Sequence, residues 1–543
     1  MTKPWHKNYP EGVATEVSLE KFSSMLEMFH QSVEEYADNT AYISFGSTLT
    51  FNQVESLSRD FGAYLQQTIG VKKGDRVALM CPNSFPFVIA MWGILRAGGV
   101  QVNVNPMYTP FELEHQLNDA EVDTIVIFSG STATLAEIIG ETPVKNVIVV
   151  DLDDLVNKNI PSPEIDPRLT DIIKFSAAIE NGRSLDFTEI KLNQQDLMYL
   201  QYTGGTTGLS KGAMLTHGNL LANILQFETF SNGLMDRGSE EVITAIPMYH
   251  IFALAMNTLA YFYFGARNVL ITNPRDMPAF VATWAENNPT FFTGVNTLFN
   301  GLLHTPGFSD IDFSSLKVTI GGGAPVQDAV SDKWKEVTGK QLFEGYGLSE
   351  TSPVLTMNLG RVGEYVSGIG IPIPSTDISL RDDDGNVVAD GESGELCAKG
   401  PQVMPGYWNN PEATADCMTE DGYFKTGDVA ILDETGHFHI VDRKKDMILV
   451  SGFNVYPNEI EAAVAQMEAV LECACIGVED ERTGEAVKLF VVKSDDALSA
   501  DEIINFSKGI LAGYKVPKQI SFIEELPKST VGKILRRELR DFD

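Results

Sequence analysis

Tyr202-Thr203-Gly204-Gly205-Thr206-Thr207-Gly208-Leu209-Ser210-Lys211-Gly212-Ala213 follows a strand-like run over 197–202. It packs three threonines, a serine, four glycines and one lysine into twelve residues. Glycines let backbone N–H groups approach a polyanion closely, hydroxyls add donors, and the lysine adds a point charge. A strand that runs into such a loop opens an α/β unit built to grip nucleotide phosphates. It is not a Walker A loop, because Lys211 is followed by Gly212 rather than Ser or Thr.

Length and charge frame that reading. A chain of 543 residues exceeds one hydrophobic core, so two or more domains are expected. Its net charge of −34 argues against nucleic acid as a partner and against electrostatic adsorption to anionic lipid. The five cysteines (Cys81, Cys397, Cys417, Cys473, Cys475) form no metal-ligand spacing, and Cys473 and Cys475 should share one face of a strand. The start of the chain lacks an apolar signal core, and a reducing cytoplasm is expected. Residues 242–266 carry no charge, but Pro247, His250, Asn257 and Gly265 favour a strand and a buried helix over a membrane span.

Up to about residue 440, helical and strand periodicities alternate, the α/β signature. Helices are predicted over 24–36, 53–68 and 85–96, and strands over 76–80, 124–128 and 146–150. Thr216 is a plausible N-cap for a helix to about 231. Strands follow near 268–271, 290–293 and 317–320, and Pro325 is placed as the first residue of a helix to 337. Residues 151–196 read as surface loops. From about 377 short strands and turns take over, with a hairpin at Asp384-Gly385-Asn386. Beyond the charged run Asp442-Arg443-Lys444-Lys445-Asp446, about a hundred residues suffice for a small α+β domain.

Five more segments carry polar groups that a plain core would not. Pro247-Met248-Tyr249-His250 ends a strand with an aromatic–imidazole pair. Gly321-Gly322-Gly323-Ala324-Pro325 suits close approach to a flat ligand. Gly345-Tyr346-Gly347-Leu348-Ser349-Glu350 offers a ring, a hydroxyl and a carboxylate for a hard cation. Asp428, after Lys425-Thr426-Gly427, can accept from sugar hydroxyls. Lys533 ends Lys528-Ser529-Thr530-Val531-Gly532-Lys533 before a short helix. Singly, His250 reads as a core histidine, Glu350 as a helix-end charge and Lys533 as a solvated cation. The order of all six segments is what carries meaning.

In that order the chain resembles the adenylate-forming superfamily of acyl-CoA synthetases, luciferases and adenylation domains, most closely the bacterial long-chain fatty-acid–CoA ligases. The resemblance spans essentially the whole sequence. It implies a large N-terminal domain (1–441) of two helix-flanked, mostly parallel sheets plus a small β-barrel-like subdomain, and a small mobile C-terminal α+β domain (442–543). It implies fatty acid, ATP and CoA as substrates, with Mg²⁺. Residues 203–211, flanked by Tyr202, Gly212 and Ala213, would hold the β- and γ-phosphates. Gly323, Ala324 and Pro325 would flank the adenine opposite Tyr346, which Gly345 and Gly347 border. Ser349 would reach the α-phosphate, and Glu350 with Thr206 the metal. Asp428 and Arg443 would bind the ribose, and Gly452 would meet the pantetheine arm. Lys533 would bridge carboxylate and α-phosphate, with His250 near the reacting carboxylate.

Two departures are visible. Ser349 stands where threonine is usual, and Ile251-Phe252-Ala253-Leu254 occupies the place where some long-chain members carry a gating tryptophan. Region 151–196 also looks shorter than in those relatives. Alternatives are a medium-chain or aryl-acid CoA ligase, an enzyme loading a carrier protein, or a fatty-acid binding protein without catalysis. Peripheral contact with the inner membrane and a homodimer remain compatible with a cytoplasmic enzyme.

Overall fold

Burial of alternating helices against strands produces four sheets in a computed structural model that describes residues 3–203, 209–358, 367–389, 391–451, 453–480, 482–530 and 532–542. Among the described residues these sheets hold seven, nine, four and five strands. The seven-stranded sheet runs Ile172–Lys174, Asn146–Val150, Thr124–Phe128, Arg76–Met80, Val100–Asn103, Leu197–Thr203, Lys211–Thr216. All neighbours are parallel except the last pair, a hairpin whose register sets Thr203 opposite Lys211. The nine-stranded sheet has a parallel centre, including Glu241–Thr244, Phe291–Gly294, Val318–Gly321 and Leu342–Gly347, and antiparallel edges.

The sequence signals explain many of these elements. Helix Phe85–Arg96 is buried on every side, as its unbroken apolar run requires. Helix His217–Phe230 starts where expected, with the Thr216 hydroxyl accepting from Asn219 N–H. The uncharged run becomes strand Glu241–Thr244 and a buried π-helical segment Ala253–Ala260, and among the described residues no helix is long and apolar enough to cross a membrane. Cys473 and Cys475 are both buried in strand Val470–Asp480. The C-terminal sheet has its own core, built on residues such as Ile448, Val455, Ile460 and Leu489.

Three expectations need correction. Residues 151–196 are not all loop: Ile172–Lys174 is the edge strand of the first sheet, and helix Phe175–Gly182 packs Phe175 and Ile179 inward. Pro325 does not open a helix. Helix Asp328–Thr338 begins three residues later: Gln327 is still extended (φ −72°, ψ 137°) as its N-cap, while Val326 N–H donates to Glu344 Oε2 (3.3 Å) and Gln327 N–H to Asn296 Oδ1 (3.0 Å). The barrel-like subdomain is an open antiparallel sheet of Asp377–Arg381, Gly394–Lys399, Phe424–Leu432 and Phe438–Arg443. Its last strand turns outward instead of closing on the first, exchanging Phe438 N–H and C=O with Gly370 and Ile369 at 2.8 and 2.9 Å.

Candidate active site

The described ends of the glycine-rich stretch lie in the antiparallel strands Leu197–Thr203 and Lys211–Thr216. Gly204, Gly205, Thr206, Thr207 and Gly208 lie outside the described residues, as does Gly452. Around them, His115 Nε2 lies 2.8 Å from the Ser210 carbonyl, and Leu209 is exposed. Lys211, Gly212 and Ala213 are on the return strand, where Gly212 leaves room for the Tyr202 ring, 3.0 Å from where a Cβ would sit. Tyr202 and Ala213 are buried, and the Tyr202 hydroxyl donates to Asp119 Oδ2 at 2.5 Å. Their side chains therefore pack the hairpin, whereas Thr203 and Lys211 stand at its open end.

Lys211 places its ammonium 5.2 Å from the centre of the Tyr407 ring, and Tyr407 donates its hydroxyl to Glu350 Oε1 at 2.7 Å. Lys211 and Glu350 are thus gathered around one ring. Burial, then the Glu350 charge, pushes the Tyr407 phenol far up, so it remains a donor. Glu350 follows Ser349 in the turn Ser349–Thr351, and its side chain is nearly fully buried. Among the described residues no group of three or more His, Cys, Asp or Glu forms a metal cage. A single buried carboxylate matches Mg²⁺, which usually keeps waters and phosphate oxygens as its other ligands.

Strand ends of the large sheet supply the next group. Gly323 follows Val318–Gly321 at φ +75°, the left-handed region. A Cβ on Gly322 would lie 3.1 Å from both the Gly345 carbonyl and the Phe252 ring, so this backbone approaches its neighbour strand closely. Ala324 and Pro325 continue the turn, while Gly345, Tyr346 and Gly347 lie on the adjacent strand Leu342–Gly347. Tyr346 donates its hydroxyl to Asp428 Oδ2 at 2.7 Å, and Arg443 Nε lies 3.3 Å from Asp428 Oδ1. Register explains that pair, because Asp428 and Arg443 are opposite residues of adjoining strands.

His250 sits on the loop after Glu241–Thr244, which Asn83 clamps by accepting from Met248 N–H (2.7 Å) and donating to the Thr244 and Ile246 carbonyls (3.2 and 3.0 Å). Burial, then the charge of Lys533, lowers the His250 imidazole to about 4, so it is neutral at pH 7. Lys533 reaches this place from the C-terminal unit. Burial, then the charge of Arg443, brings its ammonium down to about 7, against the pull of Asp428. The charge of Lys533 thus acts on His250, and those of Arg443 and Asp428 act on Lys533.

Sequence reading missed Tyr407, Asn83 and Glu344. Tyr407 and Asn83 lack any motif of their own. Glu344, beneath the triple-glycine turn, has its carboxyl raised to about 7, chiefly by burial; a lone acid in a strand gives no spacing signal.

Residues 29–408 match the AMP-binding enzyme family and residues 459–533 match the AMP-binding enzyme C-terminal domain. The chain belongs to the AMP-binding enzyme family. The long-chain-fatty-acid–CoA ligase of Salmonella typhimurium is 50% identical over 100% of this chain and 98% of its own length. The Bacillus subtilis protein of the same name is 38% identical over 99% of this chain and 97% of its own. Among solved structures, an anthranilate CoA ligase in complex with anthranoyl-AMP matches 97% of this chain and 98% of its own, at 25% identity and a TM-score of 0.87. ATP-bound MatB from Rhodopseudomonas palustris matches 95% of this chain and 98% of its own, at 27% identity and a TM-score of 0.82.

Proposed function

We propose that this chain is a long-chain-fatty-acid–CoA ligase, activating its acid with ATP through an acyl-adenylate and feeding fatty-acid degradation or lipid synthesis. The observation that carries this is the docking of the segment bearing Lys533 on the large domain, where Thr297 donates to the Gly532 carbonyl and Asn105 to Thr530 Oγ1, both at 3.2 Å, and where Arg443 and Asp428 act on the Lys533 charge. Full-length similarity to ligases of that name supplies the substrate class.

In the first half-reaction a carboxylate oxygen attacks the α-phosphorus of ATP and the bond to pyrophosphate breaks. In the second, the CoA thiol sulfur attacks the acyl carbonyl, AMP departs and the thiol proton is lost. Two anions must meet in the first step, so the Lys533 ammonium between carboxylate and α-phosphate offsets charge that builds in the transition state. Thr203 and Lys211, with the residues between them, are assigned to the β- and γ-phosphates, and Ser349 to the α-phosphate. Tyr346 and the 323–325 turn take the adenine. The ribose hydroxyls replace the Tyr346 hydroxyl on Asp428, with Arg443 alongside. Glu350 and Thr206 would hold Mg²⁺, whose charge would screen the phosphates. Neutral His250 borders the carboxylate without adding charge.

The same reading divides the chain at Asp442, about which the unit 442–543 turns to bring Gly452 to the pantetheine arm. It places the enzyme in the cytoplasm, with peripheral contact at the inner membrane as the source of its acid and a homodimer as a compatible state. Pyrophosphate release across acids from C4 to C18 and benzoate, with and without CoA, tests the assignment. A maximum at the long acids, with thioester appearing only with CoA, is expected. A maximum with benzoate contradicts it.

A further inference from the structure

The hairpin-like loop that carries Lys533 is closed on itself. Ser529 N–H donates to the Lys533 carbonyl (2.7 Å), Lys533 N–H to Ser529 Oγ (3.1 Å), and Gly532 N–H to the Ser529 carbonyl (2.9 Å). Its base is anchored within its own unit, where Lys528 Nζ lies 2.7 Å from Glu472 Oε2. Such a loop moves as one piece with the C-terminal unit, so Lys533 is placed by whatever the loop touches on the large domain.

Two side chains of the large domain meet it. Thr297, in helix Asn296–Leu303, donates its hydroxyl to the Gly532 carbonyl at 3.2 Å, one residue from Lys533. Asn105 donates its side-chain amide to Thr530 Oγ1, also at 3.2 Å, while its own Oδ1 is fixed by Met107 N–H at 3.0 Å. These residues come from the loop after strand Val100–Asn103 of the first sheet and from a helix between strands of the second, so together they hold the loop at two points. Fit is close: at Gly532, φ is +78° and a Cβ would lie 2.3 Å from Thr297 Oγ1. The 293–299 segment reads in sequence as apolar and suited to an aliphatic chain, but the Thr297 hydroxyl is turned to the C-terminal unit instead.

We infer that Thr297 and Asn105 are positioning residues that form a socket for the Lys533 loop, acting on adenylation and not on thioester formation. Neither needs to touch a reacting atom. Each stabilises the one domain orientation in which Lys533 can reach the carboxylate and the α-phosphate. In the other half-reaction, the proposed turn about Asp442 withdraws the loop, and the socket stands empty. A net hydrogen bond of about 1 kcal/mol corresponds to roughly a fivefold change in a rate or an equilibrium.

The inference rests on the role given to Lys533, and the experiment separates the two. Full-length wild type, Thr297→Val, Thr297→Ser, Asn105→Ala and Lys533→Ala would be compared for oleoyl-AMP formation in single turnover and for oleoyl-CoA formation from supplied oleoyl-AMP and CoA. Thr297→Val and Asn105→Ala should each slow adenylation about fivefold, with thioester formation from oleoyl-AMP within about twofold of wild type. Thr297→Ser, which keeps the hydroxyl, should restore adenylation, a rescue that a packing role would not give. Loss of both half-reactions in equal measure by Thr297→Val and Asn105→Ala overturns the inference, as does unchanged adenylation in both. If Lys533→Ala abolishes adenylation while those two variants leave it intact, the socket falls and the Lys533 assignment stands. Adenylation that survives Lys533→Ala overturns both.

Discussion

Burial, then the charge of Arg443, brings the Lys533 ammonium down to about 7 while His250 stays neutral, which sets a pH dependence. Only the protonated lysine offsets the meeting of two anions, and its ammonium in the free enzyme titrates at about 7. The protonated fraction falls as pH rises through that value, so kcat/KM for adenylation should fall above about pH 7. Bound triphosphate pulls the same pKa upward, so the falling limb of kcat should lie at higher pH and nucleotide binding should take up a proton. Pre-steady-state pH profiles, with calorimetry in buffers of differing ionisation enthalpy, check both; kcat and kcat/KM limbs at the same pH would contradict this. Glu350 gives a second residue-scale prediction. Glu350→Gln keeps the size and the Tyr407 hydrogen bond but removes the charge assigned to Mg²⁺. Adenylation should drop at least about a hundredfold, a loss on the scale of a removed electrostatic stabiliser, with melting temperature little changed. Titrating Mg²⁺ against rate shows whether the loss is partly recovered at high metal.

Helix Asn296–Leu303 and strand Phe291–Gly294 hold Thr297 because an aromatic cluster stands behind them. Trp334 is fully buried against Trp284, Phe292 and Phe299, with ring centres 5.0 to 6.2 Å away. Trp334→Ala should cost about 3–5 kcal/mol, read by denaturant unfolding, and a loss under about 1 kcal/mol would contradict that packing role. At this scale the sequence was informative where periodicity and caps agree, as in Thr216 before its helix or the unbroken apolar 85–96. It misled where tertiary partners decide. Pro325 looks like a helix start, yet the backbone stays extended to Gln327, where Glu344 and Asn296 hold the Val326 and Gln327 amides in the turn. The phosphate stretch was legible as chemistry, but the strand that follows it was not, because Lys211-Gly212-Ala213 has no strand-like pattern. Tyr407, Asn105 and Thr297 were invisible for a related reason: their roles exist only once distant segments meet, and no local spacing encodes that.

Across the whole molecule, the charge of −34 sets a self-repulsion that the fold must overcome. Raising salt from about 20 mM to about 500 mM shortens the screening length from roughly 20 Å to under 5 Å. The melting temperature should rise over that range, and a flat or falling curve would contradict the argument. The same large-scale organisation sets the mechanism. Lys211 and Glu350 lie on the large domain, Lys533 on a separately cored C-terminal unit, so in the proposed mechanism one half-reaction depends on how the two meet. Asp442 is buried at that border, accepting from Asn458 N–H at 2.8 Å and Arg443 N–H at 2.6 Å, and burial raises its carboxyl to about 6. The most direct measurement is the pair of half-reactions in Lys533→Ala. The account predicts that acyl-AMP formation is abolished, while CoA transfer from supplied acyl-AMP stays within a few-fold of wild type. Equal loss of both half-reactions, or survival of the first, would contradict it.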